Sequence, residues 1–158
     1  MRSLSHELNE LVFSFKPMLE GLDSAVLNFK LEPDKWSKKE ILGHLIDSAN
    51  NNHQKFVRGL ASKEVKIIGY EQANWVKLQN YQTWDWTLMV NFWAQYNTFL
   101  AQLILQIPES AYQNELMINE SGPHTLLFVV TDYVEHLKHH LLQIFPEVDL
   151  SSMYRSIY

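Results

Sequence analysis

The sequence contains no cysteine among its 158 residues. That absence excludes a disulfide framework, a thiolate zinc site, an iron–sulfur cluster and a cysteine nucleophile, and it fits a reducing compartment. Glycine and proline are scarce, five of each, which argues for long helices over the turn-rich architectures of sandwiches and barrels. No apolar run approaches the ~18 residues that a bilayer span requires. The N-terminal stretch interrupts its apolar residues with His6, Glu7, Asn9 and Glu10, so a signal-peptide core is not expected. Basic residues are outnumbered, 13 Lys and Arg against 18 Asp and Glu, for a net charge of −5. Without a basic stripe, duplex nucleic acid is not an expected partner. A cytoplasmic protein is expected, with neither a membrane nor nucleic acid among its partners. The glycine-rich phosphate loop and the G-x-S-x-G elbow are also missing. No Glu is followed three residues later by His, which excludes the paired Glu-x-x-His ligands of a di-iron carboxylate bundle.

What the chain does have is 46% hydrophobic residues arranged at helical spacing. Its length predicts one domain over residues 1–158. A first periodic segment runs from about Ser3 to Phe29, with a kink or break expected at Pro17, and residues 31–35 form a turn. Ser37 and Glu40 have the spacing of a capping box that opens a second helix, whose stripe of Ile41, Leu45, Ser48, Asn52 and Phe56 ends near Leu60. Residues 62–82 read as a long connection with a short helical turn around 72–76. Thr83 is the expected cap of a third helix, which carries Trp86, Val90, Trp93, Leu100 and Ile104 and ends at Pro108. After a polar connection over 109–122, Pro123 is placed in the first turn of a fourth helix that runs to about Phe145. The tail beyond Pro146 reads as irregular. Four amphipathic helices predict an all-α four-helix bundle. The short turn makes helices one and two antiparallel, and the long connection leaves helices two and three free to run parallel.

Of seven histidines, three fall between His136 and His140. At about 100° per residue, Asp132, His136 and His140 form one column on the fourth helix, with Val129 and Gln143 extending it. An i, i+4 pair of imidazoles can direct two nitrogens at one metal ion, and His139 is the alternative to His140 at i, i+3. A catalytic centre of this kind needs a third protein ligand and an open position. His44 is the candidate, because it lies on the core-facing stripe of the second helix, where an unpartnered imidazole is costly. Asp132 is compatible with ligation, capping or an orienting contact to His136, the last being preferred. Asp47 is rotated off the His44 stripe. Trp86 and Trp93 read as core, and Trp36 as a staple against Ile41. Tyr70, Trp75, Tyr81 and Trp84 lie near the long connection.

The blocks WSKKEILGHLIDSANNNHQKF (Trp36 to Phe56) and DYVEHLKHHLLQI (Asp132 to Ile144) resemble the DinB-like superfamily. The branch they most resemble is that of the YfiT-like metal-dependent hydrolases, relatives of the bacillithiol S-transferases. The resemblance implies an up-down-down-up four-helix bundle, often a homodimer, that binds a divalent metal through His44, His136 and His140. Asp47 matches the family's second-helix His-x-x-Asp pattern, whereas Glu135 stands where an aromatic residue often precedes the first histidine of the fourth helix. The expected cofactor is a divalent ion, zinc or nickel first, with iron, manganese or copper as alternatives. Such an ion acidifies water, for hydrolysis, or a low-molecular-weight thiol, for S-transfer, on a small-molecule substrate. Asp132, Glu135 and Tyr133 are the candidate proton-transfer residues. The competing expectation is a non-catalytic, stress-associated bundle that binds a metal or ligand.

Overall fold

The strongest local instruction in the sequence is carried out to the letter. In the computed structural model, which describes residues 1–154, Ser37 Oγ accepts the Glu40 N–H at 3.3 Å. Glu40 Oε2 in turn accepts the Ser37 N–H at 2.8 Å. This reciprocal cap opens helix α3 (Lys38–Ala61), the longest in the molecule. Before it lie α1 (Arg2–Glu20) and the single-turn α2 (Ser24–Leu27). After it come α4 (Gln72–Gln79), α5 (Trp86–Leu105) and α6 (Leu126–Ile144). The strands β1 (Glu64–Ile67), β2 (Glu115–Ile118) and β3 (Ser121–Thr125) complete the fold.

The helix breaks fall where backbone chemistry favours them, and three differ from the sequence reading. Pro17 stays inside α1, which continues to Glu20 and ends at Gly21. Asp85, not Thr83, caps α5, its Oδ1 accepting the Leu88 N–H at 2.7 Å. Thr83 instead closes a short 3-10 turn by donating its hydroxyl to the Asn80 carbonyl. Pro123 lies within β3, and α6 starts later, with Thr125 as its cap.

The all-α expectation is corrected by a three-stranded sheet of order β1-β2-β3, in which β1 and β2 are parallel and β2 and β3 antiparallel. Its register, Glu64 opposite Glu115 and Ile67 opposite Ile118, joins segments about fifty residues apart. The two connections, in which no strand is expected from the sequence, therefore pair with each other. Leu116 and Ile118 bury the inner face of β2 completely, the period-2 pattern of a half-buried strand. The short helix expected at 72–76 is real and extends to Gln79.

The four long helices enclose the core. Ser5 near the start of α1 donates to the Ala101 carbonyl near the end of α5, and Trp86 at the start of α5 donates to the Leu19 carbonyl near the end of α1. On the other side α3 packs on α6 and α5. A close approach holds the 3-10 turn to α3: a Cβ at Gly43 would overlap the Tyr81 ring. Tyr81 also donates its hydroxyl to Asp47 Oδ1 at 2.7 Å, as Gln79 does through its amide. No helix among the described residues is long and apolar enough to cross a membrane. The tail has no regular element up to residue 154, and residues 155–158 lie outside the described residues.

Candidate metal centre

Helical period places His44 on the inner face of α3 and sets His136 and His140 one turn apart on α6. The packing of those two helices brings all three together. Each ring offers one nitrogen to a group whose ligand atoms lie within 4.8 Å of one another, and all three side chains are buried. His44 is fully buried, and its Nε2 stands 3.0 Å from His136 Nε2. The three rings meet edge to face, with centroids 4.5–5.0 Å apart.

The outward nitrogens are held by neighbours that the sequence reading assigned no role. His136 Nδ1 faces Ser48 Oγ at 3.3 Å, and Ser48 also receives the Asn52 amide at 3.3 Å. His140 Nδ1 donates to Gln143 Oε1 at 2.9 Å, which leaves the Nε2 lone pair available. The amide nitrogen of the same Gln143 reaches His139 Nε2 at 3.1 Å, so His139 serves the outside of the cluster. Trp36, read as a staple to Ile41, lays its ring on His44 at 4.8 Å and on His140 at 6.2 Å. The signal for one of these contacts was present, since Gln143 is three residues from His140, the spacing of helical neighbours; the Ser48 contact joins two helices and had none.

Burial dominates the electrostatics. It pushes the His44 imidazole down to about 3, with the nearby His140 adding to the shift. His140 falls to about 4, again through burial, partly offset by the Gln143 hydrogen bond. His136 is driven well below the ordinary histidine range by burial and then by its two ring neighbours. Three neutral imidazoles thus share one buried spot, and His44 Nδ1 has no hydrogen-bond partner among the described residues. Such a set of lone pairs, with too few protons to satisfy them, fits a cation of borderline softness such as zinc, nickel, copper or iron.

His136 also forms part of the wall of a small cavity of about 50 Å³ between α3, α6 and the end of the sheet. Ser48, Asn52 and Lys55 line it from α3, and Asp132 and Tyr133 from α6. Burial lowers the Lys55 ammonium to about 8, against the raising influence of Asp132. Of the three proton-transfer candidates, Tyr133 commits its hydroxyl to Asn97 Oδ1 at 2.5 Å. Glu135 commits its carboxylate to Lys138 Nζ at 2.5 Å and to the Met153 N–H at 2.6 Å. Asp132 sits on the cavity wall with His136. The remaining histidines lie elsewhere: His53 meets the Tyr96 hydroxyl at 3.1 Å, His124 sits in β3 beside Ser121, and His6 is an exposed neighbour of Glu10.

The sequence model of the DinB superfamily matches residues 14–144. Among solved structures, the chain is similar to YfiT from Bacillus subtilis, described as a probable metal-dependent hydrolase with an unusual four-helix bundle topology. The TM-score is 0.82 at 19% identity, over 91% of this chain and 83% of that one. No curated protein matches the chain.

Proposed function

The chain belongs to the DinB superfamily, and from that premise we propose that it is a metal-dependent enzyme acting on a small molecule, with hydrolysis as its reaction. The observation that carries this reading is the convergence of three buried, neutral imidazoles beside a cavity that one of them helps to line. His44, His136 and His140 would hold one divalent ion, zinc or nickel before iron or manganese. When bound, the ion supplies Lewis acidity and lowers the pKa of water to about 7.

The chain's own residues do the rest. Gln143 keeps the His140 proton on Nδ1, and Ser48 orients His136, so that each ring presents its other nitrogen inward. Trp36 covers His44 and His140 and keeps water off that side. Asp132, on the cavity wall that Lys55 also lines, is the residue to accept a proton from the attacking group. S-transfer from a low-molecular-weight thiol is the second reading on the same site. With no cysteine in the chain, any sulfur nucleophile must arrive from outside.

The same reading takes residues 1–158 as one cytoplasmic domain with helices α1, α3, α5 and α6 running up-down-down-up. Contacts between Ser5 and Ala101, Lys39 and Gln82, and Lys38 and Ile144 support that order. It also takes the exposed Leu88, Phe92 and Phe99 on α5 as the face covered in a homodimer.

Protein purified without a nickel column should contain about one divalent ion per chain by elemental analysis, and His136→Ala should lose it. Stoichiometric metal that survives in His136→Ala would overturn the site. A panel of esters and amides, run beside thiols with an electrophile, then separates hydrolysis from S-transfer. If removing the metal lowers stability and no substrate of either class turns over, the non-catalytic bundle is the better description.

A further inference from the structure

Glu135 stands immediately before His136 in the sequence, and it is the point at which the C-terminal segment is tied to α6. Its backbone carbonyl accepts the Ser152 hydroxyl at 2.9 Å, and its Oε2 accepts the Met153 N–H at 2.6 Å. Its Oε1 is held by Lys138 Nζ, which also reaches Glu7 on α1 at 2.8 Å. Glu135 and Lys138 are both buried. A buried carboxylate is tolerated when each oxygen is matched in this way, so the anchor is a built feature and not a loose surface contact.

What the anchor positions is the next side chain. The Tyr154 ring lies edge-on to His136 with centroids 4.9 Å apart, and 5.3 Å from His139. Tyr154 lines the same cavity as His136 and Tyr70. A residue outside both histidine blocks therefore forms a wall at the very ring through which the cavity meets the metal centre.

We propose that residues 151–154 are part of the functional site. Glu135 is a positioning residue for this strap, and Tyr154 is a specificity-determining wall that limits bulk beside His136. The inference rests on the three-histidine metal reading. It assigns the ligand a slim end next to the metal: water or a thiol on an unbranched carbon is admitted, and a thiol on a fully branched carbon meets the Tyr154 ring.

The test uses the full chain loaded with cobalt(II), whose absorption reports both uptake of the ion and coordination of an added thiol. The probes are 2-mercaptoethanol and 2-methylpropane-2-thiol. The wild-type chain should bind the unbranched thiol at least about tenfold more tightly, the discrimination that steric exclusion of a methyl-sized group can supply. Tyr154→Ala should take up cobalt as the wild type does and reduce that preference to about threefold or less. Glu135→Ala, which releases the strap, should move the ratio in the same direction. Tyr154→Phe, which keeps the ring, should preserve the wild-type ratio. An anchor that only stabilised the fold would lower the melting temperature in Glu135→Ala without moving the ratio. Where Glu135→Ala does not fold, Tyr154→Ala decides alone. Wild-type discrimination in Tyr154→Ala with cobalt bound would overturn the strap and leave the metal site standing. Failure of the wild-type chain to take up cobalt would overturn the three-histidine reading itself.

Discussion

The two helix seams of this bundle are packed by the same rules and filled with opposite chemistry. Between α1 and α5 the buried positions are Leu8, Leu11, Phe15, Val90, Trp93 and Leu100. The polar side chains there find partners, Ser5 on the Ala101 carbonyl and Asn97 on the Trp93 carbonyl and the Tyr133 hydroxyl, and Trp93 Nε1 is the exception. Between α3 and α6 the buried set includes His44, Ser48, Asn52, His136 and His140. Four buried side-chain atoms among the described residues lack a hydrogen-bond partner: three of them (His44 Nδ1, Asp47 Oδ2 and Asn52 Oδ1) belong to α3, and the fourth is Trp93 Nε1 on α5. An unsatisfied buried polar atom costs about 1–3 kcal/mol. One seam thus supplies stability by excluding water, and the other gives some of it up to keep donor atoms in a dry place.

The sharpest way to test that contrast is to damage each seam in turn. Trp93 is fully buried, and Trp93→Ala should cost about 3–5 kcal/mol through lost burial and the cavity left behind. The urea midpoint measures it, and a loss below about 1 kcal/mol would show that the apolar seam is not the stabilising one.

The next effect is one of pH and belongs to the histidine seam. Burial holds His44 at about 3 and His140 at about 4, with His136 also well below the ordinary value. An unfolded chain takes up these protons near pH 6.5, while the folded chain resists them until far lower. The contribution is therefore intact above about 6.5 and is lost as pH falls toward the folded values, at up to about 1.4 kcal/mol per pH unit for each imidazole. Urea midpoints in chelator between pH 7 and pH 5 should fall accordingly. A flat profile would mean that burial does not hold the rings neutral.

A smaller effect tests the entrance to the site-bearing helix. Ser37→Ala should cost about 1 kcal/mol by removing one half of the capping box, again read as a shift in urea midpoint. An unchanged midpoint would show that Glu40 alone suffices.

That cap also marks what a linear reading can reach. Ser37 and Glu40 interact over three residues, and His136 and His140 over four, so local period and spacing identify both. His44 was legible because an imidazole on an apolar stripe needs a reason to be there. The sheet was not, because its strands are four or five residues long and β1 finds β2 only after the chain has traversed α4 and α5. Pro123 had the spacing of a helix start, but pairing of β3 with β2 took precedence and delayed α6 to Leu126. Trp36 had the position of a staple, and its ring also meets His44 on α3 and His140 on α6. Glu135 shows the same limit: its departure from the family pattern was visible, and its bond to Met153 was not. Contacts made within a helix turn were legible, and those requiring a second element were not.

The smallest expected change in stability is the most telling. His44→Leu keeps the volume of the side chain roughly constant and removes an Nδ1 that has no partner among the described residues, at the cost of leaving His136 Nε2 without the neighbour it meets at 3.0 Å. These terms oppose each other, so the chelated protein should shift by no more than about 1 kcal/mol in either direction. Metal content by elemental analysis should nevertheless fall from about one ion per chain to a small fraction, because a catalytic-type site rarely survives on two protein ligands. A fully buried residue that can be exchanged almost without structural penalty, next to a Trp93 that cannot, would separate the two seams by purpose. If His44→Leu instead destabilised the chelated protein by 3 kcal/mol or more, a loss of about the size expected for emptying a core position, the histidine seam would be a structural element and the contrast would fail.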